Sequence, residues 1–160
     1  MITERYFHCF TQLNEEFLIA TGGCLKGSAY QLRSCEVYNI RNNSWHSVTP
    51  MQKARYYHAA VQVQEGILFV FAGRDEADKY HDTIERFCNN SSSWSTINTD
   101  IKLPPRRFPH AVAIDGGAQV VIFGGSDNQK TLSDVYVLQT DSYRLELRNN
   151  NTGVGLNAAY

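Results

Sequence analysis

Twelve short runs of apolar, β-branched and aromatic residues punctuate the chain, separated by turn residues, and they fall into three sets of four. The first set covers 6–13, 17–23, 33–39 and 44–48. The second covers 57–64, 67–73, 83–88 and 93–97, and the third 109–115, 118–125, 132–139 and 142–148. In each set the second run is the most apolar: Phe17-Leu18-Ile19-Ala20, Ile67-Leu68-Phe69-Val70-Phe71 and Val120-Val121-Ile122-Phe123. Continuous apolar character over four or five residues fits a strand buried on both faces, whereas no stretch sustains the 3.6-residue period of an amphipathic helix. Asn, Gly and Asp at 14–16, 64–66 and 115–117, and again at 41–43 and 89–92, supply the positive φ angles that hairpin turns demand. The pattern therefore predicts an all-β chain of short antiparallel strands.

The sets are copies of one another. Thr21-Gly22-Gly23 recurs as Phe71-Ala72-Gly73 and Phe123-Gly124-Gly125, so the second glycine returns after 50 and then 52 residues. Glu36-Val37-Tyr38 recurs as Glu85-Arg86-Phe87 and Asp134-Val135-Tyr136, with Trp45, Trp94 and Tyr143 seven residues beyond each aromatic. Arg5 with His8, Arg55 with His58 and Arg107 with His110 open the units. A period near 50 means stacked modules, none large enough to bury its own hydrophobic face. Boundaries follow at 1–50, 51–100 and 101–148, and the uncharged tail at 149–160 reads as a frayed end.

Four antiparallel strands repeated side by side form the blade pattern of a β-propeller. On these landmarks the chain resembles the kelch repeat family from about Arg5 to Leu147, and the linker from Trp45 to Arg55 is similar to the blade junctions of BTB-kelch proteins. The fold class expected is a kelch β-propeller segment of three four-stranded antiparallel blades, not a closed ring on its own. Closed propellers use about 4–8 blades. Either the chain is a segment of a longer product, or two copies associate as a homodimer that completes a six-bladed ring.

Composition narrows the function. With 42% hydrophobic and 19% charged residues the chain is neither disordered nor of low complexity. A net charge of -1 leaves no basic surplus for a run of phosphates, which disfavours nucleic acid as partner. No apolar stretch approaches the roughly 20 residues that span a bilayer. The N-terminal residues read as neither a signal nor a transit peptide, so a cytoplasmic protein is expected. Cys9, Cys24, Cys35 and Cys88 form no Cys-x-x-Cys pair and read as reduced, buried residues. The sequons at Asn42, Asn89, Asn90 and Asn150 read as turn chemistry.

Catalytic chemistry is hard to assemble from these residues. His8, His58 and His110 each occupy one slot of their own unit, a structural pattern, and no metal or cofactor site is expected. Glu36, Glu85 and Asp134 recur with the repeat and are expected to pair with the repeat arginines. Some propellers similar to this one are enzymes of the galactose oxidase or sialic acid mutarotase type, which is the alternative reading, but nothing here specifies a copper-ligand set. What remains is loop surface. With strands a to d in each blade, the b–c loops at 24–32, 74–82 and 126–131 and the d–a junctions emerge together and are rich in charge and Tyr. Arg and Tyr on loops held by a rigid scaffold are strong interface anchors. The candidate partner-binding residues are Arg55, Tyr56, Arg74, Lys79, Tyr80, Arg106, Arg107, Phe108, Asn128 and Lys130. The kelch resemblance implies a protein-interaction module that captures an acidic peptide segment there. It also implies a substrate-recruiting role in a ubiquitin ligase adaptor if a BTB or F-box domain accompanies it.

Overall fold

The computed structural model describes residues 1–25, 27, 30–75, 77 and 79–148. The expected frayed tail, and loop positions Lys26, Ser28, Ala29, Glu76 and Asp78, lie outside the described residues. Twelve strands form three antiparallel four-stranded sheets. Blade 1 is β1 (Cys9–Gln12), β2 (Phe17–Thr21), β3 (Cys35–Asn39) and β4 (Ser44–Val48). Blade 2 is β5 (Ala59–Gln64), β6 (Ile67–Phe71), β7 (Ile84–Cys88) and β8 (Ser93–Ile97). Blade 3 is β9 (His110–Ile114), β10 (Gln119–Phe123), β11 (Val135–Gln139) and β12 (Leu145–Leu147), with a 3-10 turn at Asp115–Gly117. Each sheet is a meander in chain order, and the three do not close into a ring.

Alternation along the strands sends one set of side chains forward and the other back, and the core lies between the sheets. Between blades 1 and 2, Leu13, Ile19, Val37 and Met51 pack on Leu68, Val70, Phe87 and Trp94. Between blades 2 and 3, Val63, Phe69, Phe71 and Ile84 pack on Val120, Ile122, Leu138 and Leu145. Each fully buried side chain of this size contributes roughly 1.5–3 kcal/mol. Of the central apolar strands, β6 feeds both interfaces, Leu68 and Val70 on one face and Phe69 and Phe71 on the other, while β2 and β10 each feed one.

The strands are shorter than the sequence pattern suggests, because special backbone conformations end them. The second glycine of each repeat, at 23, 73 and 125, has φ of 95°, 90° and 92°. A Cβ there would lie 2.8 Å from the Tyr6 carbonyl oxygen, 2.9 Å from that of Tyr56 and 2.6 Å from that of Arg107. Both the dihedral and the close approach of the incoming chain exclude any other residue. The preceding slot needs only the dihedral at Ala72, which holds φ at 58°. The residues just before the innermost strands are equally special: Phe7, Tyr57 and Phe108 are left-handed at 56°, 55° and 54°.

The third unit is out of step with the sequence landmarks. Gly22 N–H donates to Ser34 C=O, Ala72 N–H to Thr83 C=O and Gly124 N–H to Asp134 C=O, so Asp134 occupies the Ser34/Thr83 slot. Ala20 pairs with Glu36, Val70 with Glu85 and Ile122 with Tyr136, which puts Tyr136 in the glutamate slot. Leu145, opposite Leu138, holds the place of Trp45 and Trp94. Tyr143 is the left-handed turn residue equivalent to Asn43 and Ser92, and its ring packs edge-on against Phe69, 6.3 Å away. The opening motif shifts too. Arg106 matches Arg5 and Arg55, and Pro109, not His110, lies against Gly125 as His8 and His58 lie against Gly23 and Gly73. The even 49-residue aromatic spacing thus came from residues in unlike slots.

Candidate functional site

Two populations of arginine approach the end of the blades where the b–c loops and d–a junctions meet. One is buried. Arg5 reaches Glu36 at 2.6 Å, Gly22 C=O at 2.8 Å and Ser34 C=O at 2.9 Å. Arg55 reaches Glu85 at 2.5 Å and Ala72 C=O at 2.7 Å. Arg106 holds Asp134 through two bonds, of 2.6 and 2.9 Å. The carboxylates are shared with the chain: Ile2 and Thr3 N–H donate to Glu36, and Gln52 and Lys53 N–H to Glu85. Hydrogen bonds from Arg5 and from these amides hold the Glu36 carboxyl below the usual carboxylate range, outweighing its burial. In the third blade the shorter Asp134 meets the guanidinium from the neighbouring slot, and the Tyr136 ring lies 5.3 Å from it. Arg55 and Arg106 were candidate partner contacts by sequence. Both are fully buried, and their charge is spent on the fold.

The second population lies on the loop face. Arg74 stands 5.5 Å from the Tyr56 ring and 5.8 Å from the Tyr80 ring. Arg107 stands 5.9 Å from Tyr80 and 5.4 Å from Phe108. Two guanidiniums therefore flank one tyrosine, within the range over which a ring face attracts a cation. The Arg107 Nε is buried without a hydrogen-bond partner among the described residues, and no described carboxylate pairs with this guanidinium. Short antiparallel bridges fix the arrangement: Tyr56 with Arg74, Arg74 with Tyr80, and Arg107 with Ser126.

An aromatic stack runs beside it from blade to blade. Phe7 and Tyr57 have ring centroids 4.2 Å apart, and Tyr57 and Phe108 4.0 Å apart. Their backbones form a ladder, Tyr57 N–H donating to Phe7 C=O and Phe108 N–H to Tyr57 C=O. The left-handed conformation at these three positions is what turns each ring toward its neighbour. Burial pushes the Tyr56 and Tyr57 phenols upward, so both are neutral at physiological pH.

A groove of about 570 Å³ opens outward from Tyr80, between Gln31 of blade 1, the loop carrying Lys79 and the junction residues Lys53 and Pro105. Its two carboxylates are already engaged: Asp75 accepts from Ala77 and Lys79 N–H, and Asp82 pairs with Lys102 at 3.3 Å. Lys53 and Lys79 also line the groove and pair with no carboxylate among the described residues, so its described lining carries both signs of charge. His81, at its floor, hydrogen-bonds Ala54 C=O at 3.0 Å, and burial lowers its pKa.

The structure thus brings together Tyr56, Arg74, Lys79, Tyr80, Arg107 and Phe108 of the sequence-derived set. Asn128 and Lys130 are exposed on the short loop of blade 3, which Asp127 closes by accepting from Gln129 and Lys130 N–H, and neither touches the cluster. The sequence reading missed Tyr57 and Phe7. Their signal was an aromatic at the second position after the repeat arginine, visible only once Arg106 is taken as the third member.

Comparison with known proteins agrees with this architecture. The KLHDC2/KLHL20/DRC7 Kelch-repeats domain matches residues 7–153. The flagellar outer arm dynein alpha chain of Chlamydomonas reinhardtii is 28% identical over 127 residues, 74% of this chain but 3% of that protein. A putative F-box/kelch-repeat protein of Arabidopsis thaliana is 36% identical over 63 residues, 39% of this chain and 25% of that protein. The chain spans only a small part of either relative. With three four-stranded blades, the glycine repeated at 23, 73 and 125 and a family match over nearly its whole length, the chain belongs to the Kelch-repeat family.

Proposed function

We propose that the chain is a non-catalytic protein-interaction module whose loop face captures an extended, acidic segment of a partner protein. The observation that carries this is Arg107, braced on Tyr80 and Phe108 with no described carboxylate against it, next to a groove that Lys53 and Lys79 line. Guanidiniums braced on aromatic rings are pre-organised, so little side-chain entropy is lost when they meet carboxylates. Tyr56, Tyr57 and Phe108 add rigid contact area of the kind that dominates interface energies. The likeness to an F-box/kelch-repeat protein supports a place in substrate recruitment to a ubiquitin ligase, with the ligase-binding part supplied outside these residues.

The test is fluorescence anisotropy with labelled peptides rich in Glu and Asp, against Gln/Asn versions of the same peptides. Saturable binding of the acidic series that weakens about tenfold in Arg107→Ala, equivalent to 1.4 kcal/mol, is the expected result. Equal binding of both series, or binding indifferent to Arg107, would reject the reading.

A further inference from the structure

The groove beside Tyr80 sorts its polar groups by depth. Lys53 and Lys79 stand exposed at its rim, while His81, only 6% exposed, forms its floor. Ala54 C=O can only accept, so His81 carries its proton on Nε2 and donates it there at 3.0 Å. Its other ring nitrogen, Nδ1, is then a bare lone pair that no described group meets, left to accept from the groove that His81 lines. On the blade 1 side, Gln31 buries its Oε1 with no partner among the described residues. Both acceptors stand on fixed backbone. His81 N–H donates to Gly73 C=O at 2.8 Å, and Gln31 is bridged to Cys24.

The two aspartates of the groove are engaged through one oxygen each. Asp75 receives the Ala77 and Lys79 amides on Oδ1, which leaves Oδ2, and Asp82 receives Lys102 on Oδ2, which leaves Oδ1. Two neutral and two anionic acceptors therefore line one groove without a described donor to meet them. Buried acceptors are costly to leave unmet, and such groups ask for a partner. The rim lysines are long, exposed and strongly hydrated, and their ammonium heads favour water over the floor. A guanidinium answers the pattern: it carries five N–H donors, no acceptor and a positive charge. The groove, at about 570 Å³, has room for it, and Ala77 and Pro105 give its aliphatic stem an apolar wall.

We propose that this groove takes an arginine side chain of the captured segment, so that the loop face reads a motif of two signs. Acidic residues of the segment meet Arg107, and an arginine a few residues away lies in the groove against Gln31, His81, Asp75 and Asp82. Tyr80 joins the two places, since it lines the groove and its ring lies 5.9 Å from Arg107. The inference rests on the peptide-capture reading and adds a second feature to the partner.

The test uses labelled Glu-rich peptides carrying one arginine at successive distances from the acidic block. Each is paired with its citrulline version, which keeps the shape but is neutral and sets an oxygen where a nitrogen donates. Anisotropy is expected to show about tenfold tighter binding of the arginine version at one spacing. That advantage should disappear in Gln31→Leu and in Asp82→Asn, each checked as folded by circular dichroism. In the unsubstituted chain, N-acetyl-arginine amide alone should shift the His81 Nδ1 resonance, and its citrulline counterpart should not. Equal binding of the arginine and citrulline versions at every spacing, an advantage untouched by both substitutions, or a silent His81 Nδ1 would each overturn the proposal. An arginine advantage that persists when every Glu is replaced by Gln, with no loss of affinity, would support the groove and reject acidic capture. Preference for Glu without an arginine advantage would do the reverse.

Discussion

Arg55 and Arg107 lie 52 positions apart near the same end of adjacent blades, yet they do opposite work. Arg55 is wholly buried, meets Glu85 at 2.5 Å and closes the gap between strands β6 and β7 through Ala72 and Thr83. Arg107 is half-buried, is braced on Tyr80 and Phe108, and pairs with no described carboxylate. The difference comes from one step along the chain. The residue immediately before the bridge to the b–c loop points into the blade, and the bridging residue points out over the loops. A buried arginine satisfied by a carboxylate and carbonyls is a structural tie, whereas an arginine stacked on rings retains capacity for an outside anion.

The largest expected effect tests the buried side. Glu85→Ala leaves Arg55 charged, buried and unpaired, and should cost about 3–5 kcal/mol in urea unfolding. A loss below about 1 kcal/mol would mean that the tie is not structural.

Acidification should come next. Burial and the charges of Arg55, His8 and His81 hold His58 well below its ordinary value near 6.5, outweighing a hydrogen bond with the Thr21 backbone. His8 and His81 are lowered in the same direction. In the unfolded chain these imidazoles regain a pKa of about 6.5. The unfolded state therefore binds more protons, and stability falls as pH drops below that value toward the lowered folded pKa values. Melting temperature should be flat from pH 8 to 7 and decline from there toward pH 5. A decline beginning only in the carboxylate range would exclude the histidines as its cause.

On the loop side, Arg74→Ala and Arg107→Ala should each change unfolding free energy by less than about 1 kcal/mol, since the groups are partly solvated. Each should nevertheless weaken acidic-peptide binding, and Arg107→Lys should not restore it because a lysine loses the planar stacking. The smallest effect belongs to Lys130→Ala, on a loop that touches neither region. It should leave both stability and peptide binding unchanged within error.

How legible these regions were in the sequence follows the same division. The blades could be read because β2, β6 and β10 are unbroken apolar runs and because glycine at 23, 73 and 125 is dictated by both φ and steric approach. The register of blade 3 could not. Its first hairpin is one residue longer and its b–c loop shorter, so Asp134 and Tyr136 imitate the Glu36 and Tyr38 spacing from different slots. A guanidinium needs only a carboxylate within reach, and Asp134 supplies one from the neighbouring position. The pairing of repeat arginines with repeat acids was therefore readable, while the identity of the third arginine was not. The site was half-legible for the same reason: loop arginines and tyrosines look alike in sequence whether they turn into the blade or over it.

The most direct test of this division is an NMR titration that follows the arginine Nε–Hε signals as a Glu-rich peptide is added. The account predicts that Arg74 and Arg107 shift and saturate together, while the protected signals of Arg5, Arg55 and Arg106 stay in place. Shifts centred on the buried arginines, or no arginine shifts at peptide saturation, would contradict it.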